Sequence, residues 1–170
     1  MEIAWVGFGS NIGDRLLWIE KALDMLHQPP ENQVLLVSRV METKPLEYTS
    51  QRNFYNGVCK VATQLDCLTF FQRLQDIEKA LGREKKIPKG PRNIDLDLLF
   101  FGNQRVSLPH LQVPHKELAN RYFVLKPLYE LCPEWVHPIY QKTIAELWKE
   151  FLFYSPLNGE GMEIPRDETK

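Results

Sequence analysis

Residues 90–101 read Gly-Pro-Arg-Asn-Ile-Asp-Leu-Asp-Leu-Leu-Phe-Phe, which sets two carboxylates, Asp95 and Asp97, two positions apart inside an apolar run. Successive side chains of a strand alternate between faces, so Asp95 and Asp97 project together while Ile94, Leu96 and Leu98 enter a core on the other side. Like charges held side by side in a half-buried setting repel each other, and their desolvation is unfavourable unless a cation or a shared proton neutralises them. Hard oxygen ligands select Mg²⁺ or Mn²⁺, and Mg²⁺ typically binds through one or two carboxylates plus substrate phosphates. Taken alone, the pair fits either the solvated face of an edge strand or a metal-phosphate site. Arg92, three residues before Asp95, and the Gly90-Pro91 turn favour the second reading, because a guanidinium binds phosphate oxygens bidentately.

The basic residues Arg83, Lys85, Lys86, Lys89 and Arg92 crowd into the preceding ten positions. Alone they would read as a solvated loop; beside the acid pair they read as a phosphate-facing one. A formal net charge of −1 argues against a broad nucleic-acid or membrane surface, so the anion they meet is small. The 170 residues, 44% hydrophobic and 25% charged, suffice for one soluble domain with a substantial core. Cys59, Cys67 and Cys132 are odd in number and lack metal-site spacing, which disfavours a disulfide framework or a zinc ribbon and points to a reducing cytoplasm. The first residues lack a basic leader region, and no apolar run approaches the roughly 20 residues of a spanning helix.

Hydrophobic spacing predicts a strand over 2–9, then a Gly-rich turn and a helix capped by Asp14 and running to Pro29-Pro30. Strands are predicted over 33–42 and 54–63, separated by a long polar loop, and a helix over 68–81 with Gly82 past its end. The Asp-bearing strand ends at Gly102-Asn103, a turn that could lead to a hairpin partner over 104–108. Helices follow within 114–131 and over 143–151. This order favours an α+β layer structure with a largely antiparallel sheet. Residues 1–154 are expected to form one domain, and 155–170 a loosely held tail.

Other motifs are weaker. Gly7-Phe8-Gly9-Ser10-Asn11-Ile12-Gly13 follows a strand and opens a helix, but its third glycine comes one residue too late for a dinucleotide-binding turn, so these glycines read as permitting a tight turn. His115 and Arg121 are unremarkable singly. His110 and His137 lie beside prolines without ligand spacing and are assigned no metal. Phe54 and Phe123 read from composition as core aromatics.

Three segments together, 9–15 (Gly-Ser-Asn-Ile-Gly-Asp-Arg), 90–99 and 114–128, closely resemble the 6-hydroxymethyl-7,8-dihydropterin pyrophosphokinase family of folate biosynthesis, over roughly residues 2–150. The resemblance implies a three-layer α/β/α structure with a ferredoxin-like core. It also implies transfer of the β,γ-pyrophosphate of ATP to a pterin hydroxymethyl group, with release of AMP. On that footing Asp95 and Asp97 hold two Mg²⁺ ions. Gln75, Glu78, Arg83, Arg92, Leu98, His115 and Arg121 surround ATP, with Arg83 and Arg92 at the phosphates and acting in catalysis beside the two acids. Thr43, Pro45, Leu46, Asn56 and Asp95 meet the pterin, while Phe54 and Phe123 stack on its two faces. The chain departs from well-known members in carrying Lys89, His110 and Lys116. A monomer that uses two small substrates, without nucleic acid or membrane, completes the expectation. The rivals are another metal-dependent transferase acting on a nucleotide, and a binding module that has lost catalysis.

Overall fold

A computed structural model describes residues 1–45, 51–82 and 93–154, and the backbone of 163–165. Leu46, Arg83, Arg92, the lysines between those arginines and most of the tail lie outside the described residues.

Strand β1 (Glu2–Ser10) is the centre of the sheet and pairs antiparallel with both β4 (Phe54–Thr63) and β5 (Asp95–Phe101). The far side of β4 carries β2 (Asn32–Val37) along one half and β3 (Met41–Thr43) along the other. Helix α1 (Arg15–Leu26) connects β1 to β2, and α2 (Cys67–Ala80) connects β4 to β5. With β2 and β3 counted as one interrupted strand, this is the β-α-β-β-α-β ferredoxin-like arrangement. Beyond β5 come a small hairpin of β6 (Val106–Leu108) and β7 (Leu111–Val113), helix α3 (Tyr122–Leu131), a two-residue pairing of β8 (Val136–His137) with β9 (Lys142–Thr143), and helix α4 (Ile144–Tyr154). The backbone of β10 (Glu163–Pro165) pairs with β3.

Strand alternation divides the sheet into two faces. Ala4, Val6, Phe8, Leu96 and Leu98 are buried with Ile19, Ala22 and Leu26 of α1 and Phe70, Leu74 and Ile77 of α2. Trp5, Val58, Leu99 and Phe100 face the other way, against Val124, Leu125 and Leu128 of α3 and Ile144 and Leu147 of α4. The result is the expected three-layer α/β/α structure. Local chemistry sets the helix limits. Asp14 accepts a hydrogen bond from the Leu17 N–H at 3.2 Å and Asp66 one from the Thr69 N–H at 2.8 Å, each satisfying a backbone donor of the first turn that has no partner within the helix. Gly82 leaves α2 with φ at 83°, a conformation that favours glycine.

Two expectations need correction. The predicted strand over 33–42 is broken, because Ser38 intervenes: its N–H donates to the Val58 carbonyl at 2.8 Å and its hydroxyl accepts from the Val58 N–H at 2.9 Å. A side-chain oxygen there replaces a backbone acceptor and the ladder cannot run on unshifted. Residues 106–108 also do not pair with β5. Their partner is β7, and the Gly102 N–H that ends β5 is tied to the Ile3 carbonyl at 2.7 Å.

Candidate active site

The alternation that buries Leu96 and Leu98 turns Asp95 and Asp97 to the α3/α4 side of the sheet, beyond the end of the apolar cluster, where both are half-buried. Across the ladder stand Gly9, opposite Asp95, and Gly7, opposite Asp97. The acids therefore border a strip of bare backbone. A Cβ on Gly9 would lie 2.6 Å from Asn56 Oδ1, so the missing side chain is what admits Asn56. Asn56 is 8% exposed and donates through Nδ2 to Thr43 Oγ1 at 2.5 Å; Thr43 is 1% exposed. Thr43 in turn is the register partner of Phe54, which is half-buried, and Pro45 is buried next to this strand end. Phe123 enters from the first turn of α3, with the Arg121 guanidinium 5.9 Å from its ring centroid.

The outer edge of β5 is held by side chains and a loop instead of another strand. Glu78 of α2, 7% exposed, accepts the Leu96 N–H at 2.8 Å, and the His115 N–H donates to the Leu99 carbonyl at 3.0 Å. Antiparallel ladders alternate the direction of backbone groups every residue, so the Leu98 N–H points outward as the Leu96 N–H does, and the register shift that follows Leu98 turns the Leu99 carbonyl outward as well. The Leu98 side chain is 2% exposed in the opposite core, which leaves only its backbone to meet a ligand. Gln75 lies one turn before Glu78 on α2, half-buried. Asn93 Nδ2 donates to the Leu81 carbonyl at 2.7 Å and fixes the start of β5 to the end of α2.

His115 resists protonation in this setting. Burial lowers its pKa below the ordinary imidazole value; the charge of Asp97 works in the opposite direction, and that of Arg121 reinforces the lowering. Its Nδ1 accepts from the Glu117 N–H at 3.1 Å, which leaves Nε2 as the donor. Among the described residues no group of three or more His, Cys, Asp or Glu side chains gathers as a closed metal cage. Two half-buried carboxylates two residues apart on one strand suit a hard cation that brings phosphate oxygens of its own.

From the strand pattern for Asp95 and Asp97, and by resemblance for Thr43, Asn56, Phe54, Phe123, His115 and Arg121, sequence reasoning named residues that the fold sets around one side and one edge of the sheet. It missed the part played by Gly7 and Gly9 as the bare floor beside the acids. Glycine inside a strand was the available signal, since it marks close approach of another group.

Solved structures with this layer arrangement include the wild-type HPPK-DHPS of Plasmodium falciparum with SDX-DHP, at a TM-score of 0.68 and 17% identity, covering 90% of this chain and 44% of that one. The sequence pattern of the 7,8-dihydro-6-hydroxymethylpterin-pyrophosphokinase (HPPK) family matches residues 5–133. The chain belongs to that family. Among its relatives, the folic acid synthesis protein fol1 of Schizosaccharomyces pombe is 43% identical over 145 residues, which cover 85% of this chain and 20% of fol1. The 2-amino-4-hydroxy-6-hydroxymethyldihydropteridine pyrophosphokinase of Aquifex aeolicus is 36% identical over 150 residues, covering 88% of this chain and 92% of that protein. The chain therefore spans about a fifth of fol1 and nearly all of the Aquifex protein.

Proposed function

We propose that this chain catalyses Mg²⁺-dependent transfer of pyrophosphate from ATP to the hydroxymethyl group of 6-hydroxymethyl-7,8-dihydropterin, releasing AMP, a step of folate biosynthesis. The observation that carries the reading is the pairing of Asp95 and Asp97 with Gly9 and Gly7, next to the Asn56–Thr43 hydrogen bond. It joins a cation-binding edge to a small polar recess on one face. Family membership and near full-length similarity to a named pyrophosphokinase support the same reading.

In this reading the pterin lies between Phe54 and Phe123, whose rings cover its two flat faces. Thr43, Asn56 and the backbone at Pro45 and Leu46 read its polar edge. ATP lies along the outer edge of β5, where the outward backbone of Leu98 and the side chains of Gln75, Glu78 and Arg121 surround it. His115 donates from Nε2 to a phosphate oxygen. Asp95 and Asp97 would hold the magnesium, two ions in the expected complement, which when bound offsets charge on the transferring phosphates. The pterin hydroxyl attacks the β-phosphorus in line with the departing AMP oxygen, and no protein nucleophile takes part. Arg83 and Arg92 neutralise the equatorial oxygens, so the chain contributes positioning and charge.

A monomer working in the cytoplasm, independent of nucleic acid and membrane, belongs to the same proposal. No helix among the described residues is long and apolar enough to cross a membrane. Incubation with ATP, magnesium and the hydroxymethylpterin tests the reaction: AMP and the pterin diphosphate are expected in equal amounts. ADP or free pyrophosphate as the main product would overturn it.

A further inference from the structure

Behind the wall that carries Thr43 and Phe54, on the opposite face of the sheet, lies Arg15, the first residue of α1. The register pair next to Thr43 and Phe54 is Glu42 with Tyr55, whose side chains point away from the recess. Arg15 engages that pair and more. Its Nη1 donates to Glu42 Oε2 at 3.3 Å and to the Asn53 carbonyl at 3.0 Å, while its guanidinium carbon lies 3.7 Å from the Tyr55 ring centroid. The ion pair is shielded, the two side chains being 12% and 17% exposed. The neighbouring turn adds to the hold. Asn11, 1% exposed, donates through Nδ2 to Gln51 Oε1 and to the Arg52 carbonyl, and Arg52 Nη1 returns a hydrogen bond to the Gly13 carbonyl at 3.1 Å.

We propose that Arg15 is a positioning residue for the pterin: by gripping Glu42, Tyr55 and the peptide before Phe54 together, it fixes the Phe54 ring and the end of β3 that presents Thr43. The proposal rests on the reading of that recess as the pterin site. Only a planar, delocalised cation can pair with a carboxylate, donate to a carbonyl and cover an aromatic face at once; an ammonium serves one or two of those roles. The partners of the grip, Glu42, Asn53 and Tyr55, stand on β3, on β4 and just before it, so its loss affects one substrate and spares the other.

The test is steady-state kinetics with both substrates varied, together with thermal unfolding, for the wild type and the variants Arg15→Met, Arg15→Lys and Glu42→Gln. Arg15→Met is expected to raise KM for the pterin at least tenfold while KM for ATP stays within twofold. Arg15→Lys should fall between it and the wild type, and Glu42→Gln should raise the pterin KM at least threefold. If Arg15→Met does not fold, Glu42→Gln decides by the same criterion. A folded variant with unchanged pterin KM, or with both KM values rising in parallel, overturns the proposal alone. A wild type that forms no AMP overturns the functional reading and this proposal with it.

Discussion

The Glu78 carboxylate accepts a 2.8 Å hydrogen bond from the backbone N–H of Leu96, the residue that separates Asp95 from Asp97. An edge strand normally leaves such groups to water or to another chain; here a helix side chain takes the place of a neighbouring strand. Glu78→Ala is expected to leave that buried N–H without its carboxylate, at a cost of about 1–3 kcal/mol. For a chain of this size each kcal/mol lowers the unfolding midpoint by roughly 2–4 °C. Because Leu96 fixes the height of both acids, the magnesium concentration for half-maximal turnover should rise as well. Calorimetry and a magnesium titration check both effects, and Glu78→Gln, which keeps an acceptor, should be milder in each.

Asp97 is half-buried at the recess and lies outside both buried hydrophobic clusters, so its removal should separate catalysis from folding. Asp97→Asn is expected to lower turnover by two to three orders of magnitude, since losing a metal ligand removes several kcal/mol of charge stabilisation at about 1.4 kcal/mol per decade. Its melting temperature without magnesium should equal or exceed that of the wild type, because one of two adjacent like charges has gone. The stabilisation that magnesium with a nonhydrolysable ATP analogue gives the wild type should shrink or vanish. A variant that unfolds, or that turns over normally, would show Asp97 to be structural or idle.

Two glycines on opposite faces of the sheet should answer to alanine differently. A methyl group on Gly9 would meet Asn56 Oδ1 at 2.6 Å and displace the amide that holds Thr43. Loss of a buried hydrogen bond of about 1–3 kcal/mol corresponds to a rise in the pterin KM of roughly 5- to 150-fold. ATP should be little affected. A methyl group on Gly57 would instead meet Phe8 Cζ at 2.4 Å in the core beneath α1 and α2. Overpacking of that kind costs about 1–3 kcal/mol of stability and favours neither substrate. Measuring both KM values and both melting curves separates the two outcomes.

What the sequence disclosed follows from how local each signal is. The pleat of β5 was legible because period-two alternation needs only neighbouring residues, and Ile94, Leu96 and Leu98 are indeed buried on the face away from the acids. The caps at Asp14 and Asp66 act over three residues, within reach of the same reasoning where it was applied, at Asp14. The break at Ser38 was not legible, since an apolar run does not show that a hydroxyl will compete with the ladder twenty residues away. Glu78 with Leu96 and Arg15 with Asn53 likewise span 18 and 38 residues, and only the packed layers bring them together. Leu98 shows the legibility of the β5 pleat from the core side: the alternation that turns the acids outward sends its side chain into the core, where it is 2% exposed.

His137 supplies a stability test away from the site. It is 3% exposed, stacked on Tyr140 with centroids 4.1 Å apart and set edgewise to Phe100 at 5.6 Å. Its Nδ1 accepts the N–H groups of Ile139 at 3.2 Å and Tyr140 at 3.1 Å, so a proton there would face two donors. Burial lowers its pKa from the ordinary 6.5. Below about pH 6.5 the unfolded chain therefore binds a proton that the folded chain does not, and stability falls as pH drops from 6.5 towards the lower folded value. Above 6.5 this contribution is fully present. His115, lowered in the same direction, adds to the loss. In His137→Asn the amide oxygen keeps the acceptor for Ile139 and Tyr140 but cannot titrate. That variant should melt lower than the wild type at pH 8, having lost the ring stack, yet lose less between pH 7 and pH 5. Equal slopes in the two proteins would place the acid sensitivity elsewhere.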